Sequence, residues 1–415
     1  MRRNKLTLPL ISICLVLMAA LSLMTACSSS TTSAPANTGA ATTAAAKTLN
    51  IGSVWDLTGT GANIEGVMAK GEALCKDYIN NNGGITINGQ KYLINIISLD
   101  SQSTDAAAVN AAQQLVSQSK VSFVIGQTTP DEVEAIRSIT DQNKVLYIAG
   151  TDDTPDAKFP YTFTALYPYK WPKTPEYDYL VKTYPNVKTV AVFNQDEAGN
   201  MASGVEAIAQ IQKHGLTLGD HLIYPFNTTD YLPLVTKLVG TKPDAIDMCL
   251  NMPSSAAEIV KDARQLGFTG PILGGSPWDP TSELNQIGAA YATDFIWDTI
   301  DPTEADAQSQ IPSQMQTVMK DWNDTYHVPF VLDALQGWNP LWVLKQAIEK
   351  AQSLDPTVVA QALENMTTIE TGYGQATMGG KQTYGINAVV AGSVPLTRLE
   401  NGKAEFLGWF KLNIP

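Results

Sequence analysis

Short apolar runs alternate with amphipathic segments through residues 49–150, and this alternation restricts the fold more than any other feature of the chain. Runs at 49–54, 92–99, 121–125 and 145–149 read as strands. Between the first two, Val67, Met68, Gly71, Leu74, Cys75, Tyr78 and Ile79 fall on one helical face. Asn81-Asn82-Gly83-Gly84 stops that helix, since glycine accepts the left-handed conformation of a C-cap. Further helices are expected at 105–120 and 132–143. Strands alternating with helices make a parallel, doubly wound α/β sheet. Such sheets take ligands in the crevice at the carboxyl ends of their strands. The loops 55–58, 127–130 and 150–154 are therefore where function is sought first.

The aromatic and proline-rich run at 159–171 reads as neither helix nor central strand, and so as a passage between two bodies. Beyond it the pattern restarts. Strands are expected at 189–193, 222–226, 245–250, 271–273 and 295–300, with helices at 175–184, 201–213, 232–239 and 255–266. Asp301-Pro302 marks a second passage. Helices at 305–327, 336–352 and 356–366 follow, and from Gly372 the texture becomes glycine-rich β. At 415 residues, two lobes are the natural division.

The N-terminus is built for export. Arg2, Arg3 and Lys5 precede an apolar stretch, 10–23, that is short for a membrane span. Met24-Thr25-Ala26-Cys27 resembles a bacterial lipobox, which implies removal of 1–26 and lipidation of Cys27; an ordinary signal peptide is the alternative. Residues 27–47 carry no large apolar side chain and read as a flexible tether. A net charge of −13 argues against nucleic acid or an anionic membrane surface as partner. Membrane contact is expected through the lipid alone. Cys75 and Cys249 read as buried free thiols in different lobes, a disulfide between them being the alternative in an exported protein.

Leu57-Thr58-Gly59, Gly66-Val67-Met68-Ala69-Lys70-Gly71, Ile79-Asn80-Asn81-Asn82-Gly83-Gly84 and Val121-Ser122-Phe123-Val124-Ile125-Gly126, with Ala347-Ile348-Glu349-Lys350-Ala351 and Gly372-Tyr373-Gly374 later, stand in collinear order. Together they resemble the leucine/isoleucine/valine-type periplasmic binding proteins, the type I solute receptors of ABC importers. The resemblance implies two doubly wound parallel-sheet lobes joined by three crossovers. These would be 48–165 plus 300–385, and 166–299 plus 386–415. It also implies an extracytoplasmic monomer that closes over a small solute and docks on ABC permease subunits, with no cofactor. The family's amino-acid grip is altered here. Pro130 stands near its usual serine, Ala198 replaces its tyrosine, and Ser276 replaces its acid. The cleft aromatics Trp55, Tyr167, Tyr169 and Trp278 suit a flat, apolar solute better than a plain aliphatic amino acid.

Ligand contacts are thus expected from Trp55, Asp56, Glu65, Gln127, Thr128, Thr129, Thr151, Asp152, Tyr167, Asn251, Ser276 and Trp278. Glu65 equally suits the first turn of its helix, and Thr128, Thr129 and Thr151 equally suit N-capping. No G-x-S-x-G, H-E-x-x-H, C-x-x-C or G-x-x-x-x-G-K-[ST] occurs, and three scattered histidines offer no metal-ligand cluster. Catalysis is not expected; the alternatives are a ligand-sensing receptor of the same fold that feeds a signalling partner and, after it, an exported α/β enzyme.

Overall fold

The alternation resolves into two sheets in the computed structural model, which describes residues 45–151, 155–275 and 279–415. The chain begins with β1 (Lys47–Trp55), α1 (Ala62–Asn81), the hairpin β2 (Ile85–Ile87) and β3 (Gln90–Asp100), and α2 (Asp105–Ser117). Then come β4 (Phe123–Gly126), α3 (Pro130–Gln142), β5 (Leu146–Ala149) and β6 (Thr162–Thr164). The second body contains α4 (Lys173–Thr183), β7 (Thr189–Asp196), α5 (Ala198–Lys213), β8 (Thr217–Pro225), α6 (Leu232–Gly240) and β9 (Ala245–Asp247). It continues with α7 (Pro253–Gln265), β10 (Ile272–Leu273), α8 (Pro280–Ile287) and β11 (Phe295–Trp297). After these lie α9 (Ala305–Gln308), α10 (Ser313–Tyr326), α11 (Asp333–Ala351), α12 (Pro356–Glu364), β12 (Ile369–Thr371) and β13 (Gly374–Gly379). The chain ends with α13 (Lys381–Tyr384), β14 (Val389–Ala391), β15 (Ser393–Glu400) and β16 (Lys403–Lys411).

The first sheet has the order β12-β13-β14-β6-β5-β4-β1-β3-β2 and the second β16-β15-β11-β10-β9-β7-β8. Both centres are parallel; antiparallel strands close both edges of the first sheet and one edge of the second, whose other edge strand, β8, runs parallel to β7. β4 and β5 are buried at every residue, as continuous apolar strands covered on both faces must be. Helices α1, α10 and α11 pack on one face of the first sheet and α2 and α3 on the other. Cys75 and Cys249 are both buried and free, one in each body.

Four expectations change. Thr162–Thr164 is a buried central strand, because the prolines of that run, Pro160 and Pro168, fall just outside its three residues. The helix expected at 305–327 is broken into α9 and α10, with Pro312 at the head of the second. Lys47 already belongs to β1 rather than to the tether. Val389–Ala391 pairs with β6 and β13, so the third crossing falls at Gly392, beyond the expected boundary at 385. Residues 1–26 and Cys27 lie outside the described residues. Among those described, no helix is long and apolar enough to cross a membrane.

One close approach between helices fixes the geometry of the first lobe. A Cβ on Gly71 of α1 would strike the carbonyl of Ala334 in α11, and one on Gly337 of α11 would strike the carbonyl of Met68. Two glycines on facing helices therefore bring α1 and α11 nearly into backbone contact. The heads of both helices end up beside the carboxyl ends of the first sheet.

Candidate functional site: a cleft between the two sheets

Each sheet has a point where its connections diverge to opposite sides: between β1 and β4 in the first, between β7 and β9 in the second. A cavity of about 570 Å³ lies where these two points face each other. From the first lobe it is lined by Ile64 and Met68 of α1, by Thr128, Thr129, Pro130 and Asp131 between β4 and α3, and by Asp333 and Gln336 of α11. From the second come Gln195, Asp196 and Glu197 at the end of β7, Phe226 after β8, and Leu250, Asn251 and Met252 after β9. Tyr169, in the first crossing, completes it. Its size suits a small organic solute.

The wall at Thr128 is held from behind by a buried polar network. Gln127 sits in the left-handed region (φ 67°) directly after Gly126 (φ 109°). Its Oε1 accepts from the N–H of Thr128 at 2.7 Å and of Thr129 at 2.8 Å, bracing the loop that leads into α3. Its Nε2 donates to Glu132 Oε2 at 2.8 Å and to Ser101 Oγ at 3.1 Å. Glu65 accepts the Thr128 hydroxyl at 2.8 Å, the Thr128 N–H at 3.0 Å and the Asp56 N–H at 2.6 Å. Burial pushes Glu65 up to about 7, with the charge of Asp56 adding to the rise against several opposing hydrogen bonds. Burial and Asp56 likewise push Glu132 to about 8. On the second lobe, Glu197 caps α5 by accepting from Gly199 and Asn200, both at 3.0 Å. Asn251 is held by Tyr224, whose hydroxyl it accepts, and by the Met248 carbonyl, to which it donates.

Of the residues expected to touch a ligand, Thr128, Thr129 and Asn251 line this cavity. Glu65 stands one layer behind, gripping Thr128. The others are committed elsewhere. Trp55 is fully buried, because strand alternation puts it with Ile51 on the α1 face of β1. There its indole N–H donates to Glu72 at 2.6 Å. Asp56 accepts from Ser101 Oγ at 2.6 Å and from the Ser103 N–H at 2.9 Å, bracing the turn into α1. Gln127 is buried and braces the loop before α3. The Thr151 hydroxyl donates to the Tyr167 carbonyl at 3.3 Å. Tyr167 itself belongs to the hydrophobic core of the first lobe. Asp152, Ser276 and Trp278 lie outside the described residues. Sequence reasoning passed over Phe226, Leu250, Asp333 and Gln336, while Met252, read with Asn251 as a strand-end candidate, does line the cavity. The first two follow strand ends and could have been found by extending the loop rule to β8 and β9. Asp333 opens a helix far along the chain, and no local signal marks it.

Among the described residues, no group of histidine, cysteine, aspartate and glutamate is placed to hold a metal ion. The geometry is that of two sheets joined by three crossings, with a cavity whose described walls come from both. Residues 48–403 match the family model described as periplasmic binding protein. A Leu/Ile/Val-binding protein homolog from Brucella melitensis biotype 1 is 24% identical over 338 residues, covering 80% of this chain and 88% of that one. A branched-chain amino acid transporter substrate binding protein from Streptococcus pneumoniae, solved with isoleucine, superposes with a TM-score of 0.70 at 22% identity, covering 88% of this chain and 100% of that one. A solute binding protein of an ABC transporter from Rhodopseudomonas palustris BisB5, solved with 3,4-dihydroxybenzoic acid, gives 0.69 at 16% identity, covering 89% and 99%. The chain belongs to the periplasmic binding protein family, in its type I form. That family binds small solutes outside the cytoplasm.

Proposed function

We propose that this protein is the solute receptor of an ABC importer of the leucine/isoleucine/valine type. It is exported, cleaved before Cys27, held at the membrane by a lipid on that residue, and works as a monomer. A small solute enters the open cleft, bridges the loop 128–131 and the loops 195–197 and 250–252, and shifts the hinge toward a closed form that the permease reads. The observation that carries this reading is the cavity itself, formed where the divergence points of both sheets meet. Tyr169 and Phe226 among apolar neighbours favour a solute with a flat or branched apolar part. Relatives of this fold have been solved with isoleucine and with an aromatic acid, so both classes belong in a screen.

The test is direct. The protein is purified without denaturation, its copurifying small molecules are identified by mass spectrometry, and those are titrated back. A solute that raises the melting temperature and reduces the radius of gyration in solution scattering supports the reading. If branched-chain, aromatic and amide solutes all leave both quantities unchanged, the receptor assignment for this cleft is wrong. Lipidation is tested separately, by the mass of the mature N-terminus.

A further inference from the structure

The polar wall of the cleft is one-sided. Four carboxylates line it, Asp131, Asp196, Glu197 and Asp333, and among the described lining residues there is no lysine, arginine or histidine. Three of the four are accounted for. Glu197 spends both oxygens on the head of α5. Asp131 and Asp196 are exposed and solvated.

Asp333 is different. It is only 9% exposed, at the first residue of α11, within a wall that also holds Ile64 and Met68. One of its oxygens receives a long hydrogen bond from Gln336 Nε2 at 3.4 Å. No other side chain among the described residues partners this carboxylate. Nearby donors are already engaged: the Thr128 hydroxyl donates to Glu65 at 2.8 Å, the Tyr169 hydroxyl to Gln336 Oε1 at 3.0 Å, and the Gln195 amide to the Phe226 carbonyl at 2.8 Å. Its own backbone N–H and the head of α11 give the carboxylate some further compensation, yet burial still wins, and a carboxylate so withdrawn from water favours either a proton or a cation. The described walls of the cleft supply no cation of their own.

Resting on the receptor reading, we propose that the solute of this cleft carries a protonated amine or a guanidinium, and that Asp333 is its counter-ion. The N–H groups of such a solute complete the unfilled hydrogen-bonding capacity of the carboxylate. The rings of Tyr169 and Phe226, which share the cavity, provide negative faces that tolerate the same charge. An anionic solute without nitrogen would instead meet four carboxylates and no counter-charge.

The experiment uses matched probes with the intact protein: leucine against its α-hydroxy acid, tyramine against tyrosol, and benzoate as an anion without nitrogen. Melting temperature and scattering are read for wild type, Asp333→Asn and Asp333→Glu. Amine-bearing members should stabilise and close the protein, and their amine-free partners should bind roughly tenfold or more weakly. Asp333→Asn should cost a similar factor for the amine alone, and Asp333→Glu should restore part of it. If benzoate or an amine-free partner binds as well as the amine, or the amine's affinity survives Asp333→Asn, the charge assignment is overturned. In both cases a solute still closes the cleft and the receptor reading stands. If no probe closes the cleft, both readings fall.

Discussion

Gln127 shows how much of the cleft wall is built by one residue. A non-glycine side chain held at positive φ is uncommon, and here its amide occupies two backbone donors, a serine hydroxyl and a glutamate. Gln127→Leu should leave the Thr129 N–H unmet and Glu132 without its donor, lower stability by about 1–3 kcal/mol and weaken solute binding at Thr128; chemical denaturation and calorimetry check it. Asp333 carries a second expectation at this scale. Burial raises it to about 7, and only its ionised form can pair with a cation. Affinity for an amine should therefore rise as pH goes up from 5 through about 7 and level off beyond it, with the slope absent in Asp333→Asn. Tyr373 feels the charge of Asp333 but is itself held neutral across that range by burial. These roles were only half visible in the sequence. That 127–130 follows a strand end was legible, and Thr128 and Thr129 do line the cavity. Which residues of a strand-end loop face the ligand depends on pleat parity and on φ, and neither is written in residue type. Trp55 and Gln127 were misplaced for that reason.

At the level of elements, the packing of α1 on α11 decides where the first lobe's wall stands. Gly337→Ala places a methyl against the Met68 carbonyl. It should separate the helices, cost about 1–3 kcal/mol by overpacking, and displace Met68, Asp333 and Gln336 together. Equilibrium denaturation would show the first effect and a loss of solute affinity the second. The variant is expected to be worse than any single substitution on the exposed faces of the same helices. Long periodic segments such as α1 and α11 were readable because an apolar stripe at helical spacing must be buried whatever it packs on. Short elements were not. β6 has three residues, too few to show alternation, and β2 is a hairpin arm whose pairing with β3 depends on a turn at Asn88-Gly89. That α11 would contribute to the cleft could not be read at all, since it follows from sheet order and not from local pattern.

For the molecule as a whole, buried acids set the response to pH. Burial raises Glu72 to about 7, where Ser53 and Trp55 donate to it, and Glu65 and Glu132 behave alike near 7 and 8. Each titrates near 4.5 when the chain is unfolded, so between these values the native state holds more protons than the unfolded one. Stability contributed by these groups is present below about 4.5 and is lost as pH climbs through 7 and 8. The melting temperature should fall from about pH 5 to about pH 8, and Glu132→Gln should flatten that fall. A melting temperature that rises over this range would contradict the buried-acid assignment.

Strand order also governs when this polypeptide can fold, because the chain returns to the first sheet after the second is nearly finished. β14 comes from residues 389–391, yet it lies beside β6, and the cleft wall borrows Asp333 and Gln336 from beyond residue 330. No early portion of the polypeptide can thus complete its own sheet or offer a finished binding surface. Assembly has to wait until almost the full length is available, and the long loops closed on the way make it slow. If export threads the unfolded polypeptide across a membrane, as proposed above, such delay is an advantage.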